Sequence, residues 1–261
     1  MYDALHLSKL SNIINSCFGV TETVRDIVPV KSGVNSRNYG SHFEALTQSG
    51  ISYGLKISVR GVASGTENEK LLADIGELLM APNVCPVRLS QHVDMIPLFA
   101  GKLVNITRWL ADSKQIKTLS DTEKSAIGAD FQDDPFFYQF GQWTAFGLFF
   151  GLKDRHEENW VWASQKRQLT MIDLEDGLVT VPLTEYGRRE LMLLATTDPD
   201  VKKTHRQQLI RGFNRMYGKA ARQRTAIDAL LASYGHARSY KLQHFGLART
   251  VLNDYLLAYW S

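Results

Sequence analysis

Four polar side chains able to move a proton or hold a hard cation fall within twenty residues of one another: Asp154, His156, Asn159 and Asp173. Asp154 and Asn159 are five positions apart in Gly151-Leu152-Lys153-Asp154-Arg155-His156-Glu157-Glu158-Asn159, and Asp173 follows fourteen residues later, after the apolar run Leu169–Ile172. A carboxylate or imidazole in a tight loop can orient or deprotonate an acceptor hydroxyl. An Asn amide oxygen and a strand-end carboxylate are hard oxygen donors, which suit magnesium because it also keeps waters and phosphate oxygens. Together these groups suit phosphoryl transfer, where positioning and charge neutralisation do most of the work. The competing structural reading is a buried ion-pair turn formed by Asp154, Arg155 and His156.

Further groups of the same chemistry lie upstream in a consistent order. Lys31 to Gly40 is rich in glycine and small polar residues, so backbone N–H groups of Gly33, Val34, Asn35 and Ser36 can approach phosphate oxygens. This is not a Walker A loop, since it lacks the terminal G-K-[S/T] and strand, not helix, is expected after it. Alone it reads as a hairpin turn. One hairpin later, Lys56 stands between Leu55 and Ile57. Alone it would be a solvent-facing strand lysine; in this order it is a candidate cation for the α/β-phosphates. A carboxylate on the following helix should fix it: Glu69 is preferred, Glu77 is the alternative, and Glu67 reads as first-turn dipole compensation. By position alone, backbone groups of the connector Ile106-Thr107-Arg108-Trp109 would hold an adenine, which places Ile106 and Arg108 among the candidate nucleotide contacts.

Asp154-Arg155-His156-Glu157-Glu158-Asn159 followed by Met171-Ile172-Asp173-Leu174-Glu175 resembles the G-D-R-H-x-x-N … H-I-D-F-G signature of phosphatidylinositol 3/4-kinases within the protein-kinase-like superfamily. It is also similar to the D-x-H-x-x-N … I-D-L-E pairing of lanthipeptide dehydratase kinase-like domains, and small secreted bacterial effector kinases share a similarly reduced architecture. Ser32-Gly33-Val34-Asn35-Ser36 resembles the S-G-x-x-S nucleotide loop of aminoglycoside-type kinases, and Gly54-Leu55-Lys56-Ile57 resembles the V-A-I-K strand of protein kinases. The resemblance implies an α+β, bilobal protein-kinase-like fold using ATP and Mg2+, with Asn159 and Asp173 on the metal. It also implies that Asp154 or His156 handles the acceptor proton: a lipid-kinase reading favours His156, a protein-kinase reading Asp154. Departures are informative. Leu174-Glu175 replaces Phe-Gly after the metal aspartate, which makes Glu175 and Asp176 either extra ligands or solvated acids. No A-P-E segment follows, and about ten residues separate Gly177 from Arg188. That stretch leaves little room for a phosphorylation-gated loop, so the site is expected to be assembled constitutively or completed by a partner.

Three readings follow. The first is a kinase acting on a Ser or Thr hydroxyl of a protein or peptide. The second is a phosphoinositide or small-molecule kinase. The third is a nucleotide-binding pseudokinase that serves as an interaction module. Nucleotidyl transfer in the same fold is a related outcome of the first two. The short, nearly uncharged stretch before Arg188 lacks the basic character a lipid head group would call for, which favours a protein acceptor.

These groups need a scaffold to place them. Leu5, Leu7, Leu10, Ile13, Ile14 and Phe18 recur at helical spacing, giving a leading helix over 5–18. Asp26–Val34, Tyr39–Thr47 and Ile51–Val59 read as strands, with Gln48-Ser49-Gly50 as a hairpin turn. Thr66–Met80 reads as a helix opened by a Thr66/Glu69 capping box, with Leu71, Leu72, Ile75, Leu78 and Leu79 as its apolar stripe and Pro82 as its stop. Strands are expected at 84–87, 95–99 and 102–107, and helix beyond Trp109. The aromatic run from Phe136 to Phe150 reads as buried core. Trp160–Trp162 and Leu169–Ile172 form a hairpin joined by Ser164–Arg167, and three helices should follow Pro199, broken near Gly218 and Tyr234-Gly235. The expected division is a small lobe over 1–108 and a mainly helical lobe over 109–261.

Composition sets outer bounds. The net charge is +3, but from Leu183 onward thirteen Lys and Arg face six Asp and Glu, so the last third is strongly basic. A basic helical face could take an acidic protein or an anionic lipid surface, or simply be solvated. No nucleic-acid partner is expected. No run of about 18 apolar residues exists to span a membrane, and the N-terminus lacks the pattern of a Sec-type signal peptide. Cys17 and Cys85 form no disulfide framework or metal-ligand spacing. A reducing cytosol is the expected location, either that of the producing cell or that of a host into which the chain is delivered.

Overall fold

The computed structural model describes residues 2–30, 42–57, 63–81, 84–90, 104–129, 135–152, 159–174, 177–178 and 199–235. The chain divides into two compact units, Met1–Ala73 with Cys85–Ala111, and Asp74–Val84 with Asp112–Ser261. The architecture is α+β.

The first unit is built on an antiparallel sheet of strands β1 (Val24–Pro29), β2 (His42–Thr47), β3 (Ser52–Ile57), β4 (Val87–Ser90) and β5 (Val104–Arg108), ordered β1-β2-β3-β5-β4. One helix, α2 (Ala63–Met80), connects β3 to β4. Among the described residues, a five-stranded antiparallel sheet with one helix between its third and fourth strands matches the small lobe expected from the sequence. Helix α1 (Ala4–Phe18) is capped by Asp3, whose carboxylate accepts from the His6 N–H at 2.9 Å, and stops at Gly19 in the left-handed conformation (φ 62). Leu10 and Ile14 of α1 pack with Tyr53, Leu55, Val104 and Ile106 in one buried cluster. Side chains alternate along a strand. Burying Tyr53 and Leu55 against α1 therefore sends Gly54 and Lys56 to the opposite face.

Helix α2 starts at Ala63, three residues before the expected cap, so Thr66 lies inside the helix and is buried. No capping box forms, because the Glu69 carboxylate is engaged by the sheet instead. Glu67 is likewise beyond the first turn and exposed. Leu71, Leu72, Ile75 and Leu79 are buried as the stripe requires, but Leu78 is 38% exposed. At 100° per residue it lies off the buried face. Strand β4 begins at Val87, not Val84, and Ile57 is the last described residue of β3.

The second unit carries a smaller sheet, β6 (Ser113–Gln115), β7 (Trp160–Ala163) and β8 (Gln168–Met171), in the order β6-β7-β8. The polar Ser113-Lys114-Gln115 has no strand periodicity, and pairing with β7 makes it a strand where helix was expected. Its helices are α3 (Asp121–Ala129), α4 (Pro135–Phe150), α5 (Pro199–Arg222) and α6 (Arg224–Ser233). Nearly all of α4 is buried, including Phe136, Phe137, Phe140, Trp143, Phe146, Phe149 and Phe150. Helix α5 runs through Gly218 and breaks at Gln223, because Leu209, Phe213, Met216 and Ala220 bury a continuous stripe across the glycine. Gly141 of α4 and Gly212 of α5 face backbone carbonyls of Leu209 and Tyr138, and a Cβ at either position would overlap that backbone.

Among the described residues no helix is long and apolar enough to cross a membrane. The expected strand at 95–99, the residues beyond Arg188 that precede α5, and the last expected helix lie outside the described residues.

Candidate functional site

In the first unit, alternation along β3 sets Lys56 on the face away from α1. The Lys56 ammonium lies 3.7 Å from Glu69 Oε2, with both side chains largely buried (13% and 7% exposed). Glu69 is therefore in ion-pair range of Lys56. A cation and a carboxylate withdrawn from water keep a fixed geometry at the cost of desolvation. The same Glu69 oxygen accepts a 2.6 Å hydrogen bond from Asn105 Nδ2. Asn105 is the cross-strand partner of Lys56 and is fully buried in β5. Reading the sequence by motif missed it. The available signal was an amide within the apolar run Leu103-Val104-Asn105-Ile106.

Gly54 shares the face of Lys56 two residues away, and the Trp109 indole lies against it: a Cβ on Gly54 would stand 2.8 Å from Trp109 Nε1. Trp109 is held there by its own N–H, which donates to the Ser52 carbonyl at 3.2 Å. The connector assignment is modified by this arrangement. Ile106 is 1% exposed on the α1 face, and its backbone sits between Leu55 of β3 and Arg88 of β4. The Arg108 N–H donates to the Pro86 carbonyl at 3.0 Å. The N–H groups of Arg108 and Trp109 are thus spent within the sheet, and what faces the Lys56 side is the Trp109 ring.

In the second unit, α4 ends in a left-handed glycine, Gly151 (φ 62), with the Leu152 N–H reaching back to Gly147 O at 3.0 Å. Asp154 and His156 follow at once and lie outside the described residues, as do Gly33, Val34, Asn35 and Ser36 of the upstream loop and Glu175 and Asp176. Beyond the loop, Asn159 is buried just before β7, and Asp173 stands just past the end of β8. Antiparallel pairing sets Trp160 opposite Met171, and the Ile172 N–H donates to Asn159 O at 2.9 Å. The neighbours of that bond are Asn159 itself and Asp173, so the hairpin brings these two oxygen-bearing residues to one end. Asp173 has a left-handed backbone (φ 60), uncommon for a residue other than glycine.

Helix α4 fixes this hairpin through Gln139 and Trp143. Gln139 Oε1 accepts from the Leu169 N–H at 2.6 Å, and Gln139 Nε2 donates to Arg167 O at 2.8 Å. The Trp143 indole N–H donates to Leu169 O at 3.0 Å. The bonds to Leu169 pair its N–H and carbonyl on the edge strand β8, groups that would otherwise be unpaired. Gln139 was not singled out from sequence, although it is one of few polar residues in an aromatic-rich helix.

The donor set fits the implied ion: an Asn amide and an Asp carboxylate are hard oxygen ligands on a braced hairpin. Lys56 fits a phosphate in the same way, as a largely buried ammonium beside a carboxylate.

No family model and no curated protein sequence matches the chain. Solved structures similar to it include kinases. A proinflammatory kinase of Helicobacter pylori, CtkA, is 13% identical, with a TM-score of 0.47 and coverage of 88% of this chain and 91% of that one. The FAT and kinase domain of CtTel1 is 14% identical (TM-score 0.47), covering 96% of this chain and 23% of that one. The MAP kinase LmaMPK10 of Leishmania major is 16% identical (TM-score 0.41), covering 81% and 61%. At such identities these likenesses are silent on chemistry and acceptor.

Proposed function

We propose that the chain is an ATP- and magnesium-dependent kinase that transfers the γ-phosphoryl group to a Ser or Thr hydroxyl of a protein or peptide. The observation that carries this reading is the junction of Asn159 and Asp173 at one end of the β7–β8 hairpin. Hard oxygen donors five and nineteen residues after Asp154 are what a metal-assisted phosphoryl transfer asks of a chain. Asn159 and Asp173 would hold magnesium, which neutralises charge on the phosphate oxygens. Lys56, oriented by Glu69, would neutralise the α/β-phosphates, and the Trp109 ring offers an apolar wall for the base on the same face of the sheet. The loop over Gly33, Val34, Asn35 and Ser36 would cover the phosphates with backbone N–H groups. Asp154 or His156 would take the acceptor proton. A protein acceptor is favoured by the short, nearly uncharged stretch between Gly177 and Arg188.

The test is incubation with γ-³²P-ATP and, separately, α-³²P-ATP, in the presence of host lysate or phosphoinositide vesicles. Label from the γ position alone, on a protein band and lost in Asp173→Ala, is the expected result. Label in the lipid fraction would make the acceptor a phosphoinositide, and label from the α position would make the chain a nucleotidyl transferase. No magnesium-dependent labelling or nucleotide binding would remove the enzyme reading.

A further inference from the structure

Asn105 belongs to no recognised motif, yet it stands directly across the ladder from Lys56. Its Cα is the ladder partner of Lys56, and alternation puts both side chains on the face away from α1. Its Nδ2 lies 2.6 Å from Glu69 Oε2, closer than the Lys56 ammonium at 3.7 Å to the same atom. The orientation of the amide follows from this contact. A carboxylate oxygen only accepts, so the NH2 group must face Glu69 and Oδ1 must point elsewhere. That Oδ1 is buried and has no hydrogen-bond partner among the described residues. A buried carbonyl oxygen without a donor is costly, and an apolar residue of the same size would avoid the cost.

We propose that Asn105 is a positioning residue for the phosphate-binding lysine, acting through its Nδ2–H bond to Glu69. The amide is suited to this place because it is neutral: a second cation would compete for Glu69, and a second carboxylate would repel it. Asn105 also fastens Glu69 to the sheet independently of Lys56, so the carboxylate stays in place when the lysine turns to a nucleotide. The inference rests on the reading of Lys56 as a phosphate ligand.

Binding of Mg-ATP, measured by calorimetry on the full chain, tests it with Asn105→Leu and Asn105→Asp, each compared with wild type at the same pH. Asn105→Leu should fold, as shown by an unchanged far-ultraviolet spectrum, and bind about tenfold more weakly. Asn105→Asp should bind poorly at about pH 8, where two carboxylates oppose each other. It should recover toward wild type at about pH 5.5, where the pair retains a proton and the O–H restores the donor. Such recovery is a signature that a merely structural role would not produce. Equal affinity of wild type and Asn105→Leu overturns the proposal, and so does an Asn105→Asp deficit that is the same at both pH values. If Asn105→Leu fails to fold, the pH comparison on Asn105→Asp decides alone. Absence of Mg-ATP binding by the wild-type chain overturns the Lys56 reading as well, a result distinct from each of the others.

Discussion

The Ile172 N–H donates to Asn159 O at 2.9 Å, just beyond the last ladder pair of the β7–β8 hairpin, Trp160 with Met171. This bond brings two oxygen-bearing residues fourteen positions apart in sequence to one end of a hairpin. The next residue, Asp173, leaves the strand with φ 60, so its side chain does not continue the strand's alternation. A left-handed conformation at a non-glycine residue costs about 1–2 kcal/mol, and such strain concentrates where function needs it.

Asp173 should therefore separate stability from activity. Asp173→Gly removes the strain and is expected to leave the melting temperature unchanged or raise it, by up to about 1 kcal/mol of stability. Asp173→Ala keeps the strain and loses only the carboxylate. Both should lower magnesium-dependent phosphoryl transfer by about 100-fold or more. Thermal melts and labelling assays on the two variants check this; a Gly variant that retains activity would remove Asp173 from the metal.

The Lys56–Glu69 pair gives a coupling prediction. Lys56→Met leaves a carboxylate that is 7% exposed facing an apolar side chain, which should destabilise the chain by about 3 kcal/mol. Adding Glu69→Gln removes the buried charge while keeping an acceptor for Asn105, so the double variant should be more stable than Lys56→Met alone. Neither variant should phosphorylate. A double-mutant cycle from denaturant melts reads the coupling, and strict additivity would show that the two groups do not act as a pair.

How much of this was legible beforehand follows from what each residue answers to. Lys56 and Glu69 could be placed because strand alternation and helical spacing fix their faces. Asn159 and Asp173 stood out by the order of their types along the chain. Asn105 and Gln139 were not visible as site residues, since each works through a partner far away in sequence: Glu69, 36 residues off, and Leu169, 30 residues off. The start of α2 was misplaced for a related reason. The Thr66-x-x-Glu69 pattern is a good local cap, but Glu69 gains more from Lys56 and Asn105 than from an exposed helix end. Gly218 reads as a helix breaker locally, and burial of Phe213, Met216 and Ala220 overrides that preference.

Gln139 is expected to be as important to the hairpin as the aromatic residues around it. Gln139→Leu preserves volume but strips the Leu169 N–H and the Arg167 carbonyl of their partners. An unpaired buried group costs about 1–3 kcal/mol. A melting temperature lower by several degrees is expected, with faster amide exchange along 168–171 and weaker magnesium dependence of nucleotide binding. Hydrogen exchange is the decisive measurement: unchanged protection of the Leu169 amide would show that Gln139 does not hold the strand.

The start of α3 supplies a pH prediction independent of any catalytic role. Lys114 donates to Glu123 Oε1 at 2.7 Å, while Oε2 accepts from the Ser120 N–H at 2.8 Å and is 3.0 Å from the Ser120 hydroxyl. The Glu123 N–H in turn donates to Ser120 Oγ at 3.2 Å, completing a capping box. The hydrogen bond from Lys114, followed by those from Ser120, lowers the Glu123 carboxyl from 4.5 to about 2. A carboxylate whose folded value is depressed stabilises the fold above its unfolded value, and loses that contribution as pH falls toward the folded one. The contribution of Glu123 should thus be full above about pH 4.5 and fade between there and about pH 2. Glu123→Gln keeps an acceptor for Ser120 but carries no charge, so its melting temperature should fall below wild type at neutral pH and converge with it in acid. Salt should shrink the difference by screening the exposed Lys114 contact. A gap between the two chains that persists unchanged down to about pH 2 would show that the Glu123 charge is not what holds this helix start.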